Sequence, residues 1–434
     1  MAQFICIRCG QTAPASDNYV CPCGGLYEVQ HDFGNISLDQ FDSKLSDISQ
    51  AWSSGVWRYK ELIHPELDPK HIVSRPEGNT NLYKRARVSE YAGVEGFYLK
   101  HEGENPSGSF KDRGMTVGVS VAVQDGAKKV ACASTGNTSA SMASYAAQAG
   151  LKGIVFIPEG MISFGKLAQA LAYGSQVVQV KGNFDDAMGL IKNGAKQLGF
   201  YILNSLNPWR IEGQKSIIFE MLQQRRWNPP DWIAVPAGNL GNTSAFGKAL
   251  RELKQLGLIE KMPRIAAIQA EGANPFYKLW NSVDKKLESM KPDTIASAIK
   301  IGNPVSWEKA LRSIRETNGI VEQVNDNEIL NAKAIIDASG IGCEPASAAS
   351  LAGVRKLRDM GIIAEDDEVV GILTGNLLKD PDNTVQYHIG KIEGIEARYS
   401  NKPVQVEADL DKIQAVLSQV NQPTPGHEVK HSGN

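Results

Sequence analysis

What this 434-residue chain lacks narrows its function first. It has no apolar run suited to crossing a membrane, because the longest uncharged stretch, Val130–Leu151, is crowded with Ser, Thr, Gly and Asn. Met1–Gly10 lacks the basic-then-apolar pattern of a secretory signal. Neither sign of charge is in excess. Lys and Arg number 46 against 48 Asp and Glu, a formal net charge of −2, so no global field exists to hold a nucleic acid or an anionic membrane. Common catalytic signatures are also missing: there is no G-x-S-x-G, no H-E-x-x-H and no G-x-x-x-x-G-K-S/T. The nearest phosphate loop of the last kind, Gly241 to Gly247-Lys248, has five intervening residues and no Ser or Thr after the lysine. These absences lead to the expectation of a soluble cytoplasmic protein, with neither nucleic acid nor membrane as partner.

What is present points to a folded enzyme-sized chain. Hydrophobic residues make up 42% and charged ones 22%, enough to bury a substantial core, and the length exceeds what one core usually organises. Cysteine is scarce but concentrated. Four of six lie within the first 23 residues, as Cys6-x-x-Cys9 and Cys21-Pro22-Cys23, flanked by Gly10, Gly24 and Gly25. Two such turns can converge four thiolates on a tetrahedral Zn²⁺, leaving no open position, so a metal here would be structural. The C-x-C spacing narrows the bite of the second turn, which leaves a metal-free β-ribbon as the alternative. Cys132 and Cys343 stand alone in apolar contexts and read as buried packing residues.

Leu38–Pro76 reads as an irregular arm whose Trp52, Trp57 and Tyr59 pack on the main body. Beyond it, β-branched runs at Lys129–Ala133, Gly153–Ile157, Gln176–Val180 and Phe200–Leu203 recur about every 23 or 24 residues, with helical patterns between, among them Gly165–Tyr173 and Phe184–Leu198. A second series follows at Trp232–Pro236, Arg264–Gln269, Ile320–Gln323 and Val369–Thr374. Strand, helix, parallel strand is the economical reading of both. The expected architecture is therefore α/β: two doubly wound, mostly parallel sheet domains with the active site in the cleft between them, plus a small zinc-ribbon-like appendage. The expected divisions are the appendage at 1–30, an N-terminal arm at 31–95, a small α/β domain at 96–206, a large α/β domain at 207–395, and a C-terminal helix with a mobile tail at 396–434.

In open α/β sheets ligands sit beyond the carboxyl ends of strands, so the loops there are the places to look. Gly238-Asn239-Leu240-Gly241-Asn242 leaves a strand and enters a helix, and its glycines and helix-start N–H groups suit a phosphate monoester. An ordinary strand-to-helix turn would look the same. Asn105-Pro106-Ser107-Gly108-Ser109-Phe110-Lys111-Asp112-Arg113-Gly114 starts another helix. Ser109 and Asp112 could form a capping box with Lys111 pointing to water. Alternatively, a lysine in the first turn meets the positive end of the helix dipole, which lowers its pKa and suits it to form a Schiff base with pyridoxal phosphate.

Taken in order, the Asn105–Gly114 segment, Ser134-Thr135-Gly136-Asn137-Thr138-Ser139, the 238–242 loop and Leu373-Thr374-Gly375-Asn376 resemble the threonine synthases, members of the tryptophan-synthase β-subunit-like group of pyridoxal phosphate enzymes. Ile301-Gly302-Asn303-Pro304-Val305-Ser306-Trp307 and the run from Asn204 to Lys215 extend the resemblance, which covers about residues 75–380. It implies pyridoxal 5′-phosphate bound to Lys111, which also transfers protons. It further implies that Asn137 contacts the ring hydroxyl, that Gly238, Asn239, Leu240, Gly241 and Asn242 seat the phosphate, and that Thr374 meets the ring nitrogen. The implied substrate is O-phospho-L-homoserine, converted with water to L-threonine and phosphate. Its carboxylate falls to Ser134, Thr135 and Thr138, and its phosphate to Asn204, Ser205 and Arg210. N-capping for the first three, and a surface ion pair for Arg210, are the plainer alternatives. A homodimer is expected, and structural zinc at Cys6, Cys9, Cys21 and Cys23. The rivals are another enzyme of the same fold, such as a dehydratase or cysteate synthase, and a non-catalytic zinc-ribbon module. Only a substrate with its own phosphate needs the Asn204–Arg210 group.

Overall fold

The computed structural model describes residues 2–420 except 17, 48–49, 160–163, 182–188, 190–193 and 195–196. The helix expected at Phe184–Leu198 and the tail after residue 420 fall largely or wholly outside the described residues. Three sheets organise what is described. The smallest is antiparallel, in the order β2-β1-β3, from β1 (Gln3–Cys6), β2 (Thr12–Pro14) and β3 (Tyr27–Gln30).

The largest has the order β12-β11-β10-β13-β5-β4, formed by β4 (Leu82–Tyr83), β5 (Gly96–His101), β10 (Trp232–Pro236), β11 (Arg264–Ala270), β12 (Ile320–Val324) and β13 (Glu368–Leu373). All its neighbours run parallel except β4, which is antiparallel to β5. The third, in the order β8-β7-β6-β9, is all parallel: β6 (Lys129–Ala133), β7 (Lys152–Pro158), β8 (Gln176–Val180) and β9 (Tyr201–Ile202). Central strands read as continuous apolar runs because both faces are covered: every residue of β10 is buried, as are six of the seven in β11.

One expected boundary moves. The expected small domain starts at residue 96, but β5 (Gly96–His101) pairs with β13 over Glu368↔Gly96 through Leu373↔His101, inside the six-stranded sheet. The partner lies some 270 residues later, which no local pattern reveals. The chain thus enters the large sheet, leaves to build the small one, and returns.

The arm is part of the core. Val56, Trp57, Tyr59, Leu62 and Ile63 are fully buried, and Trp57 Nε1 donates to Thr116 Oγ1 at 2.8 Å. The ribbon docks on the helix Pro208–Gln224: the Phe4 and Trp209 rings lie 6.1 Å apart, and Asn207 Nδ2 donates to the Tyr19 hydroxyl at 3.1 Å. Lysines from the large domain fasten its last strand, Lys309 donating to Tyr27 O at 2.5 Å and Lys248 to Val29 O at 2.6 Å. No helix among the described residues is long and apolar enough to cross a membrane.

Candidate active site

Five loops leave the carboxyl ends of β5, β6, β9, β10 and β13, and the candidate cofactor and substrate residues lie in these loops or in the first turn of the helices they lead into. The loop after β5 is laced to the loop after β13. Phe110 N donates to Thr374 O at 3.0 Å and Asn376 N to Gly108 O at 2.9 Å, while Ser109 bridges Gly375. Gly108 makes this possible with φ +85, in the left-handed region. This lacing sets Lys111, at the start of the helix Lys111–Gln124, beside Thr374.

The alternative of a capping box between Ser109 and Asp112 is not met. Phe110 is the helix cap and makes no side-chain cap bond, and Ser109 Oγ has no partner among the described residues. Asp112 instead accepts from Ser107 N at 2.6 Å and from the Ser107 and Ser141 hydroxyls at 2.5 Å. Its carboxylate pins the lysine loop from both sides.

Lys111 Nζ makes no hydrogen bond among the described residues and lies 4.0 Å from the Phe110 ring centroid. The residue is half-buried. Burial of the amine, reinforced by the Arg210 guanidinium and opposed by Glu344, lowers its pKa to about 7. The lowered basicity expected from the sequence thus comes chiefly from desolvation, with a neighbouring cation second. Half the amine is neutral, and nucleophilic, near neutral pH.

Next to Lys111, Arg113 is wholly buried. Its Nε donates to Glu102 Oε2 at 2.6 Å, and its Nη2 to Glu102 Oε1 and Glu220 Oε1, both at 2.8 Å. Lys100 Nζ meets the same Glu220 oxygen at 2.6 Å. Burial alone would raise the Glu220 carboxyl, but Arg113 and Lys100 hold it well below its usual range.

The 237–243 loop has the form of an anion seat. Leu240 adopts φ +65, a conformation that costs a residue with a Cβ roughly 1–3 kcal/mol and gathers at ligand-binding turns. A Cβ on Gly238 would sit 3.0 Å from Ile299 Cα, and Ser306 N donates to Asn239 O at 3.4 Å, so the 296–307 segment closes over the loop. Buried polar atoms around it are orphaned: Asn242 Nδ2 and Oδ1, Thr243 Oγ1 and Gln214 Oε1 have no partner among the described residues. Each such group costs about 1–3 kcal/mol unless something completes it. An oxygen-rich anion against the helix start Gly241–Gln255 would complete the two donors among them, Asn242 Nδ2 and the Thr243 hydroxyl. The donor set therefore fits the phosphate of pyridoxal phosphate, and Lys111 fits its aldehyde.

The remaining candidates differ in how free they are. Ser134, Thr135, Asn137 and Thr138 are all half-exposed after β6. Asn137 Nδ2 donates to Glu344 Oε1 and Oε2 at 3.2 and 3.1 Å. Thr374 is buried with its hydroxyl 3.1 Å from Ser347 Oγ. Arg210 is buried, donating through Nη1 to Leu203 O at 3.1 Å and leaving Nε without a partner among the described residues, where it forms no ion pair either. Asn204 spends its carboxamide on Ala133, accepting from its N and donating to its O at 3.0 Å each, a brace between β6 and the β9 loop. Ser205 is half-exposed beside it. Gln214, Thr243, Glu344 and Ser347 were not singled out from sequence. Glu344-Pro345 at a helix start was the one available signal.

At the other end of the chain the four Sγ atoms of Cys6, Cys9, Cys21 and Cys23 lie within 4.8 Å of one another, with Cys6–Cys23 at 3.4 Å and Cys9–Cys21 at 3.7 Å. Thiolates on a tetrahedral zinc with Zn–S of about 2.3 Å would be about 3.8 Å apart, so the site fits Zn²⁺ despite its narrow C-x-C turn. Burial would raise the Cys6 thiol, but N–H groups of Cys9 and Arg8 together with neighbouring thiols bring it down to about 7. Cys132 and Cys343 are fully buried.

Comparison with known proteins agrees with this chemistry. The family model described as pyridoxal-phosphate dependent enzyme matches residues 73–375. A threonine synthase of Methanocaldococcus jannaschii is 45% identical over 96% of the chain and 99% of that protein, and one of Methanosarcina acetivorans is equally similar, at 45% over 96% and 99%. The solved threonine synthase of Escherichia coli superposes with a TM-score of 0.68 over 97% of the chain and 100% of that structure, at 19% identity, a likeness of fold.

Proposed function

The chain belongs to the pyridoxal-phosphate dependent enzymes and, within them, to the threonine synthases, and from that premise we propose that its cleft converts O-phospho-L-homoserine and water to L-threonine and inorganic phosphate. What supports this reading is a lysine of lowered basicity close enough to the buried Arg210 to feel its charge, in a chain that also carries unpartnered donors at Asn242 and Thr243 among the described residues. A substrate that brings its own phosphate needs a second anion seat.

Asn242 and Thr243, with the N–H groups at the helix start, hold the cofactor phosphate. Asn137 and Thr374 address the ring hydroxyl and the ring nitrogen. When bound, pyridoxal phosphate supplies an electron sink for negative charge developing on the substrate carbons. Lys111 Nζ takes and returns the protons at those carbons, for which a pKa near 7 balances acid and base forms. Arg210, with Ser205, receives the substrate phosphate, while Asn204 keeps the β9 loop against β6. Ser134, Thr135 and Thr138 receive the carboxylate. Thr374, being neutral, leaves the ring nitrogen free of any enforced proton. A cytoplasmic homodimer with structural zinc in the ribbon belongs to the same reading.

Phosphate release tests it. The purified protein should free phosphate and form threonine from O-phospho-L-homoserine and leave O-phospho-L-serine intact. Release from phosphoserine alone would assign the cleft to another reaction.

A further inference from the structure

One helical turn grips both of the residues that meet the cofactor's ring. Pro345–Asp359 begins with Glu344 as its cap, and Glu344 N donates to Gly375 O at 3.1 Å. From that anchored position the carboxylate reaches across the cleft, from the six-stranded side to Asn137 at the end of β6, and takes both of its bonds from one nitrogen. Three residues on, Ser347 Oγ accepts from Gly375 N at 2.9 Å and contacts the Thr374 hydroxyl at 3.1 Å. Gly375 is the hub. A Cβ there would lie 2.4 Å from Glu344 Oε1, so only glycine lets the carboxylate pass between the β13 loop and Asn137.

A carboxylate that is 4% exposed and bonded to a single amide is a costly thing to bury. Burial pushes its carboxyl above the usual range, and the Asn137 bond with the nearby Lys379 and Lys111 pulls the other way, Asp380 opposing them. The bond has a directional consequence. An amide nitrogen has two hydrogens in one plane, and when one is fixed on Glu344 the other is aimed about 120° away with no freedom to flip. We propose that Glu344 is a positioning residue, which locks the Asn137 carboxamide so that its second N–H points at the cofactor's ring hydroxyl, while Ser347 orients the Thr374 hydroxyl toward the ring nitrogen. This rests on the proposed function, since it presumes the cofactor between Asn137 and Thr374.

The test reads cofactor affinity and the visible absorption of the holoenzyme, without turnover. Glu344→Ala should weaken pyridoxal phosphate binding about tenfold and shift the visible band, as expected for losing one oriented hydrogen bond. Glu344→Gln, whose carbonyl can still accept from Asn137, should restore affinity to within about threefold. In an Asn137→Ala background, Glu344→Ala should add less than about twofold, because the residue it acts through is gone. Should the alanine chain not fold, Glu344→Met keeps the volume and removes both acceptors, with the same expectations. An unchanged affinity and spectrum, or equal losses with and without Asn137, would overturn the inference. Wild-type protein that takes up no pyridoxal phosphate would overturn the proposed function instead.

Discussion

The wall of the cleft built on the six-stranded sheet keeps Arg113, Glu102, Glu220 and Lys100 buried and paired, whereas the facing wall after β6 presents Ser134 to Thr138 half-exposed, with Asn137 the member that bonds across to the first wall. On the first wall Arg113, Glu102, Glu220 and Lys100 tie the lysine helix to β5, and the Gly108 and Thr374 loops are laced together. The contrast suggests a division of labour. Under the proposed function, the lysine that binds the cofactor sits where the framework over-determines its loop, and Ser134, Thr135 and Thr138, proposed to receive the substrate carboxylate, sit where few bonds need breaking.

Arg113→Ala strikes the first wall hardest. It takes from the buried Glu102 its ion-pair partner and from Glu220 one of two cations, and should cost about 3–5 kcal/mol in a chemical-denaturation curve. Ser134→Ala on the opposite wall should stay within about 0.5 kcal/mol in the same measurement. Comparable losses at both positions would erase the contrast. A smaller effect separates the two anion seats. Arg210→Ala should raise the KM for phosphohomoserine about 10- to 100-fold, the worth of hydrogen bonds to a charged group, and change the dissociation constant of pyridoxal phosphate less than about threefold. Parallel losses in both would mean one shared seat. Removing this guanidinium should also move the Lys111 titration to higher pH, because it is one of the two influences holding that pKa down.

Much of this was readable from the sequence, for definable reasons. Strands β6, β8 and β10 begin and end where the β-branched runs do, since each is a short buried strand bounded by turn residues. Lys111 and the 238–242 loop were legible because their chemistry is local: a helix start and glycines that bring backbone N–H groups close. Contacts between distant segments were not. Nothing near Gly96 tells that its strand pairs with β13, and nothing near Glu344 tells that Asn137 faces it. Ser109-x-x-Asp112 has the spacing of a cap, yet the left-handed turn at Gly108 hands that carboxylate to Ser107 instead. Asn204 sits in the motif expected to hold the substrate phosphate, but its amide is committed to β6.

The most direct test of the central claim is reduction of the holoenzyme with borohydride followed by peptide mapping. The pyridoxyl label should appear on the peptide carrying Lys111 and on no other. Cofactor uptake by the stripped protein should also climb through about pH 7 and level off above it, because the neutral amine reacts, whereas an unperturbed lysine would keep gaining to about pH 10. A label on a different lysine would contradict the account.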